Sequence, residues 1–112
     1  MPEKDGLKTR IGKILIRLCQ RKGISINKIV IFGSMVKGTQ KRYSDIDIII
    51  VSKEFRNKSI FERVELANGI GRELVKRTKK PFDIMYYSDI EWIKGNSLVI
   101  NAAKQAGEVI FG

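Results

Sequence analysis

Asp45 and Asp47 open the isoleucine run "DIDIIIV" with a single residue between them. Burying even one carboxylate is unfavourable unless its charge is compensated. Side chains alternate along a strand, so the two acids point to one face and Ile46 to the other. Carboxylates held that close repel each other unless a cation lies between them, and an all-oxygen donor set suits magnesium or manganese. Asp83, within "FDIMYY", can join the pair if its strand lies beside theirs. Three such carboxylates can hold two ions about 4 Å apart, the arrangement used for in-line displacement at phosphorus.

A second group of residues just upstream supplies what such ions would serve. Gly33 and Ser34 end the β-branched run "NKIVIFG" and open the turn "SMVKG". Backbone N–H groups at the start of a helical turn point outward, and glycine lets a phosphate approach them closely. Ser34 adds a hydroxyl donor, and Lys37 on the same turn is available to a second phosphate. A Gly-Ser pair alone is a common helix N-cap, and an isolated Asp-x-Asp is often a surface pair. Their succession is far more specific: strand, Gly-Ser, turn with Lys37 and Gly38, polar loop, then Ser-Asp-x-Asp opening a strand. It describes a site for a metal–nucleoside-triphosphate complex.

Composition narrows the chemistry further. The 112 residues include no histidine, so a Ser-His triad and histidine metal ligands are excluded. Carboxylates, hydroxyls, lysine and arginine must do the work. The formal charge is +10, and no acid occurs between Gly6 and Ser44, while Arg10, Lys13, Arg17 and Arg21 recur at helical spacing. That basic stripe suits nucleic acid, nucleotide phosphates or an acidic protein, or is simply a solvated face. Cys19 is the one cysteine; it has no disulfide partner and reads as a buried thiol on a helix. No apolar run is long enough to cross a bilayer, and "MPEKDGLKTR" lacks the apolar core of a signal peptide. The cytoplasm is the expected location.

The elements that must position these residues follow from periodicity. Leu7, Ile11, Ile14, Leu15 and Leu18 trace an amphipathic helix ending near Gly23. "NKIVIFG" and "DIDIIIVS" are strands separated by the turn and the loop "TQKRY", and "KEFRNK" is a loop. Ile60, Val64, Ala67, Gly71 and Leu74 mark the inner face of a helix over residues 59–77, with Gly69 and Gly71 weakening it or allowing close packing. "TKKP" stops that helix and "FDIMYY" is a third strand. Ser88 can cap a short turn through Trp92, residues 96–107 suggest a last helix, and "EVIF" returns to the sheet edge. The link between the first two strands is too short for a crossover helix, so the sheet is expected to be mixed. The fold class is α/β in the broad α+β sense: one domain over 1–112, a small mixed sheet with helices packed on it.

At these residues the sequence resembles a known family. "GSMVKGTQKRYSDIDIIIV" is similar to the signature of the polymerase-β-like nucleotidyltransferases, in particular the minimal nucleotidyltransferases of prokaryotes. "FDIMYY" falls where that family has its third aspartate, and "AKQAGEVIFG" resembles its usual end, so the likeness covers nearly the whole chain. It implies that Gly33 and Ser34 bind the triphosphate and that Asp45, Asp47 and Asp83 ligate two magnesium ions and carry the catalysis. Lys37 stands where the family commonly has arginine, keeping the charge but losing the bidentate fork. The implied reaction moves AMP from ATP to an acceptor hydroxyl. Minimal nucleotidyltransferases often act as antitoxins beside a HEPN-type toxin, some by adenylylating a tyrosine of it, so the resemblance implies a protein partner of that kind. The basic first helix keeps a second acceptor open, an RNA 3′ end, and a third reading is a binding module without turnover. Tyr86, Tyr87 and Trp92 are candidates for an aromatic docking patch or for the core.

Overall fold

The computed structural model describes residues 3–33, 45–95 and 97–112, with side chains from residue 6 onward. Among them, helix α1 (Glu3–Arg21) precedes strands β1 (Lys28–Phe32) and β2 (Ile46–Val51). Helices α2 (Ile60–Leu66) and α3 (Ile70–Thr78) lead to β3 (Phe82–Tyr87), and α4 (Asp89–Lys94) and α5 (Leu98–Ala106) lead to β4 (Glu108–Phe111). The strands form one sheet in the order β3-β2-β1-β4. β1 runs antiparallel to β2 and β4, and β2 runs parallel to β3, so the sheet is mixed, as the short first connection requires.

The alternation of β2 divides the interior in two. Ile46, Ile48 and Ile50 face one side, where Ile11, Leu15, Leu18 and Cys19 of α1 and Ile70 and Leu74 of α3 cover them. Each such side chain withdrawn from water contributes about 1.5–3 kcal/mol. Ile49 and Val51 face the other side with Val30, against Trp92 of α4 and Ile100 and Ala103 of α5. Burial pushes the Cys19 thiol up to about 11, as befits the inert core cysteine expected from the sequence. The three candidate docking aromatics, Tyr86, Tyr87 and Trp92, pack instead into the core, divided between the layers. Tyr86 packs with the first, its ring 5.3 Å from that of Phe55, while Tyr87 and Trp92 belong to the second.

Local signals fix the short elements. Ser59 with Glu62 and Ser88 with Glu91 form reciprocal capping boxes that start α2 and α4, and Ser97 caps α5. The segment expected as a plain loop, "KEFRNK", contains a 3-10 turn, Lys53–Phe55, that sinks Phe55 into the core. Arg56 then holds Asp89 through two bonds of 2.8 and 2.5 Å, tying this turn to α4. Lys8 of α1 is buried and reaches Glu108 of β4 at 2.9 Å.

The single helix expected over 59–77 is two helices. Gly69 adopts a left-handed φ of 87° and interrupts the helix there. The inward stripe is not Ile60–Val64–Ala67: Ile60 is 75% exposed and Val64 53%. Arg63 turns inward instead, on the same side as Ala67, Ile70 and Leu74, all buried.

Candidate active site

Parallel pairing of β2 with β3 sets Asp47 directly opposite Asp83. Antiparallel pairing sets Phe32, the last residue of β1, opposite Asp47 from the other side. Asp45 immediately precedes β2 and, two residues from Asp47, shares its face. This is the face of Ile49 and Val51. The helices α4 and α5 cover its Ile49 end, and the aspartates occupy the other end, where Asp45 and Asp83 are exposed and Asp47 is half-buried. The acids thus interrupt a core strand only beyond the reach of the described covering helices.

Charge crowding is written into Asp47. Partial burial, then the Asp83 carboxylate, then that of Asp45, hold its carboxyl above the ordinary value of 3.8. Both other acids therefore act on Asp47 in space, which the sequence left conditional on strand order. As their side chains stand, no group of three or more His, Cys, Asp or Glu among the described residues has metal-holding spacing. The backbones of paired strands lie about 4.8 Å apart, however, so drawing Asp47 and Asp83 together is a matter of side-chain rotation. An all-oxygen, mutually repelling, solvent-reachable donor set fits a hard divalent cation.

Gly33 follows β1 with φ of 81°, and a Cβ at that position would overlap the Asp47 carboxylate at Oδ2. Its first structural task is to leave room for Asp47. Ser34 and Lys37, the other two residues of the expected phosphate seat, lie outside the described residues.

Sequence reasoning missed Arg63. Its Nε donates to the carbonyl of Lys58 at 3.0 Å and its Nη1 to the carbonyl of Tyr86 at 2.9 Å, while Nη1 also lies 2.7 Å from the Glu91 carboxylate. One side chain thus fastens α2 to β3 and α4. The signal was present: residues 63, 67, 70 and 74 repeat at helical spacing, but a charged residue at the first position makes an apolar count pass over it.

The chain is similar to known proteins over most of its length. The family model described as a nucleotidyltransferase domain matches residues 11–109. A Sulfolobus solfataricus protein designated a nucleotidyltransferase superposes with a TM-score of 0.57 at 17% identity, covering 97% of this chain and 86% of that one. A toxin–antitoxin MntA–HpeT mutant with two Asp→Glu changes gives 0.61 at 23% identity, covering 91% and 73%. A toxin–antitoxin crystal structure with AMP-PNP gives 0.59 at 24%, covering 89% and 72%. A search of curated proteins gives no match. The structural likenesses establish the fold, and none of the described helices is long and apolar enough to cross a membrane. With the matched region running from α1 into β4 and enclosing every aspartate of the site, the chain belongs to the nucleotidyltransferase domain family.

Proposed function

We propose that residues 1–112 act as one cytoplasmic nucleotidyltransferase unit that moves AMP from ATP to a hydroxyl of a partner protein, as the antitoxin of a HEPN/MNT-type pair. The observation that carries the catalytic half is the pairing of Asp47 with Asp83, with Asp45 on the same face. Asp45, Asp47 and Asp83 would hold magnesium, or manganese, which supplies Lewis-acid polarisation of the α-phosphate and of the acceptor hydroxyl. Asp83, exposed at the start of β3, is placed to receive the acceptor proton in a site without histidine. The acceptor oxygen bonds to the α-phosphorus, the bond to the bridging oxygen breaks, and pyrophosphate leaves. Gly33 and Ser34 offer backbone amides to the triphosphate, and Lys37 takes its outer phosphates. The protein acceptor is supported by the similar fold of two toxin–antitoxin structures, one of them with AMP-PNP and one with its aspartates changed to glutamate.

A second reading, nucleotidyl transfer to an RNA 3′ end, is favoured by one observation. Arg10, Lys13, Arg17 and Arg21 are all exposed on α1. The two are separated by the destination of label from α-labelled ATP and magnesium, offered in turn the product of the adjacent gene and total RNA. The protein reading expects label on a tyrosine of the neighbour. Label confined to RNA, lost on charge reversal of Arg10, Arg17 and Arg21, would replace it. Metal-dependent ATP binding with no label on either would reduce the chain to a binding module.

A further inference from the structure

The net charge of the chain is concentrated in two segments far apart in sequence. Residues 3–22 and 70–80 hold twelve of the 22 lysines and arginines but three of the 12 acids, so they carry +9 of the total +10. Folding sets these segments side by side. α1 and α3 cover the same face of the sheet, and Arg10 Nη2 donates to the carbonyl of Arg77 at 3.1 Å, bridging the two helices.

Burial on each helix decides where its charges point. Ile11, Leu15 and Leu18 face the sheet from α1, which turns Lys13 and Arg17 outward, with Arg10 and Arg21 exposed beside them. Ile70, Leu74 and Thr78 are buried along α3, which turns Arg72 and Lys76 outward. Lys79 and Lys80 are exposed just beyond its end. One acid with a described side chain lies on these two helices: Glu73, held by Arg77 at 3.0 Å. The Arg77 hydrogen bond outweighs desolvation, and the charges of Arg77, Lys76 and Arg21 add to it, so the Glu73 carboxyl stays below its ordinary 4.5. Glu3 and Asp5 lie in the first turn of α1, before the run from Arg10 to Arg21, and Glu62 and Glu65 belong to α2. Among the described residues no acid forms an ion pair with Lys13, Arg17, Arg72 or Lys76.

What this surface lacks identifies its ligand. The core of a protein interface is depleted of charged residues, and a helix bound to a membrane sinks apolar side chains into it. Among the described residues, large apolar side chains stand exposed on α2, α4, α5 and β4, whereas α1 has none and α3 has Val75 alone. Neither segment contains an aromatic residue on which a base of a single strand could stack. Long cationic side chains without apolar or aromatic neighbours suit phosphate groups, which are contacted without regard to sequence. Nucleic-acid interfaces are accordingly far more positive than those between proteins.

We propose that α1 and α3 together form a binding surface for the phosphate backbone of double-stranded nucleic acid. Arg10 to Arg21 spans about 17 Å along α1, and a packed helix axis lies about 8–10 Å away. That area accommodates about four to six phosphate contacts. The two helices cover the face of Ile46, Ile48 and Ile50, opposite to the face that carries the aspartates. Binding here therefore needs neither magnesium with ATP nor an acceptor hydroxyl, and it stands or falls apart from the transfer reaction.

The test measures anisotropy of fluorescent RNA and DNA duplexes of about 20 base pairs with the whole chain, in EDTA and without nucleotide. Kd at about 0.1 M salt should lie between about 1 and 100 µM, and on DNA log Kd should rise with log salt at a slope of about 4–5. Arg72→Gln/Lys76→Gln should weaken binding about tenfold or more and lower that slope by about two. Both residues are exposed, so the melting temperature and the stabilisation by magnesium and ATP should stay at the parent's values. Lys53→Gln/Lys94→Gln removes the same charge from exposed positions outside α1 and α3, and should bind within about twofold of the parent. Binding of both duplexes, or of one above the other, supports the proposal and identifies the source of the phosphates. An Arg72→Gln/Lys76→Gln variant that binds like the parent overturns it, because α3 then takes no part. An equal loss in Lys53→Gln/Lys94→Gln also overturns it, by reducing the effect to bulk charge. So does tighter binding of a single strand, polyglutamate or anionic-lipid vesicles than of either duplex, or the failure of the parent to bind any duplex.

Discussion

Asp47 and Asp83 face each other across adjacent parallel strands, at the end of the sheet face that none of the described helices covers. Neither gains a compensating charge from the described side chains. Asp47 bears the cost, its carboxyl held above the ordinary range by burial and by Asp83 and Asp45. A pair kept in this condition is expected to be tuned for a ligand rather than for stability.

In EDTA at neutral pH, Asp47→Asn should therefore leave the melting temperature unchanged or raise it, because the amide removes one of three repelling charges. Magnesium with ATP reverses the order. It should stabilise the parent by about 2.7 kcal/mol at a hundredfold excess over Kd, and give Asp45→Asn or Asp47→Asn little. A mutant clearly less stable than the parent in EDTA would make that aspartate a structural residue.

Gly33 and Gly69 allow a controlled comparison. Both have positive φ, but a methyl at Gly33 strikes the Asp47 carboxylate while one at Gly69 meets open space. Gly69→Ala should cost about 1 kcal/mol, the strain of the left-handed backbone alone, and keep ATP binding. Gly33→Ala should cost about 2 kcal/mol or more in urea unfolding and lose metal-dependent ATP binding as Asp47 is displaced. Equal behaviour of the two would mean that the contact with Asp47 does not matter.

What the sequence made legible was local. The β-branched runs and the short first connection led to the mixed sheet, and the Asp-x-Asp spacing to an acid pair that Asp83 could join if its strand lay alongside. Ser88 announced its helix through its own capping chemistry. What stayed hidden depended on partners distant in sequence. Gly69 reads as a tolerable weak point until its left-handed φ shows that the helix stops there. Arg63 reads as a surface charge until the Tyr86 carbonyl and Glu91, 23 and 28 positions later, are brought to it. Phe55 sits in a polar stretch and is buried only because β2 and the Ser52 cap aim it inward. Apolar counting cannot see a buried cation.

Arg63→Ala should destabilise the chain by about 2–3 kcal/mol, since it strands two carbonyls and one carboxylate on elements it joins. Arg63→Lys should recover less than half, lacking the fork that reaches them together. The partner acid adds a pH signature. Burial pushes the Glu91 carboxyl up, but the Ser88 backbone N–H and the Arg63 guanidinium outweigh it and hold the group below its ordinary 4.5. A depressed folded value means that the unfolded chain binds the proton more readily. This contribution is therefore present above about pH 4.5 and lost as the pH falls through the folded value. Glu91→Gln should flatten that part of the acid unfolding curve at a cost near neutrality of about 1 kcal/mol or less, because the pair is partly exposed. An unchanged acid limb would show that the pair contributes nothing.

Lys37 carries the boldest assignment, being the family's usual arginine replaced by a point charge. If it holds the outer phosphates, Lys37→Ala should weaken ATP binding about tenfold or more, the loss of one charge-assisted contact. AMP, which lacks those phosphates, should bind nearly as before. Lys37→Arg should bind ATP at least as tightly as the parent, since the fork restores bidentate contact to phosphate oxygens. Titrations of the three proteins with ATP and AMP in magnesium decide the matter. Equal losses for both nucleotides in Lys37→Ala would move the lysine from the β- and γ-phosphates to the α-phosphate, where it would act on the reacting group itself.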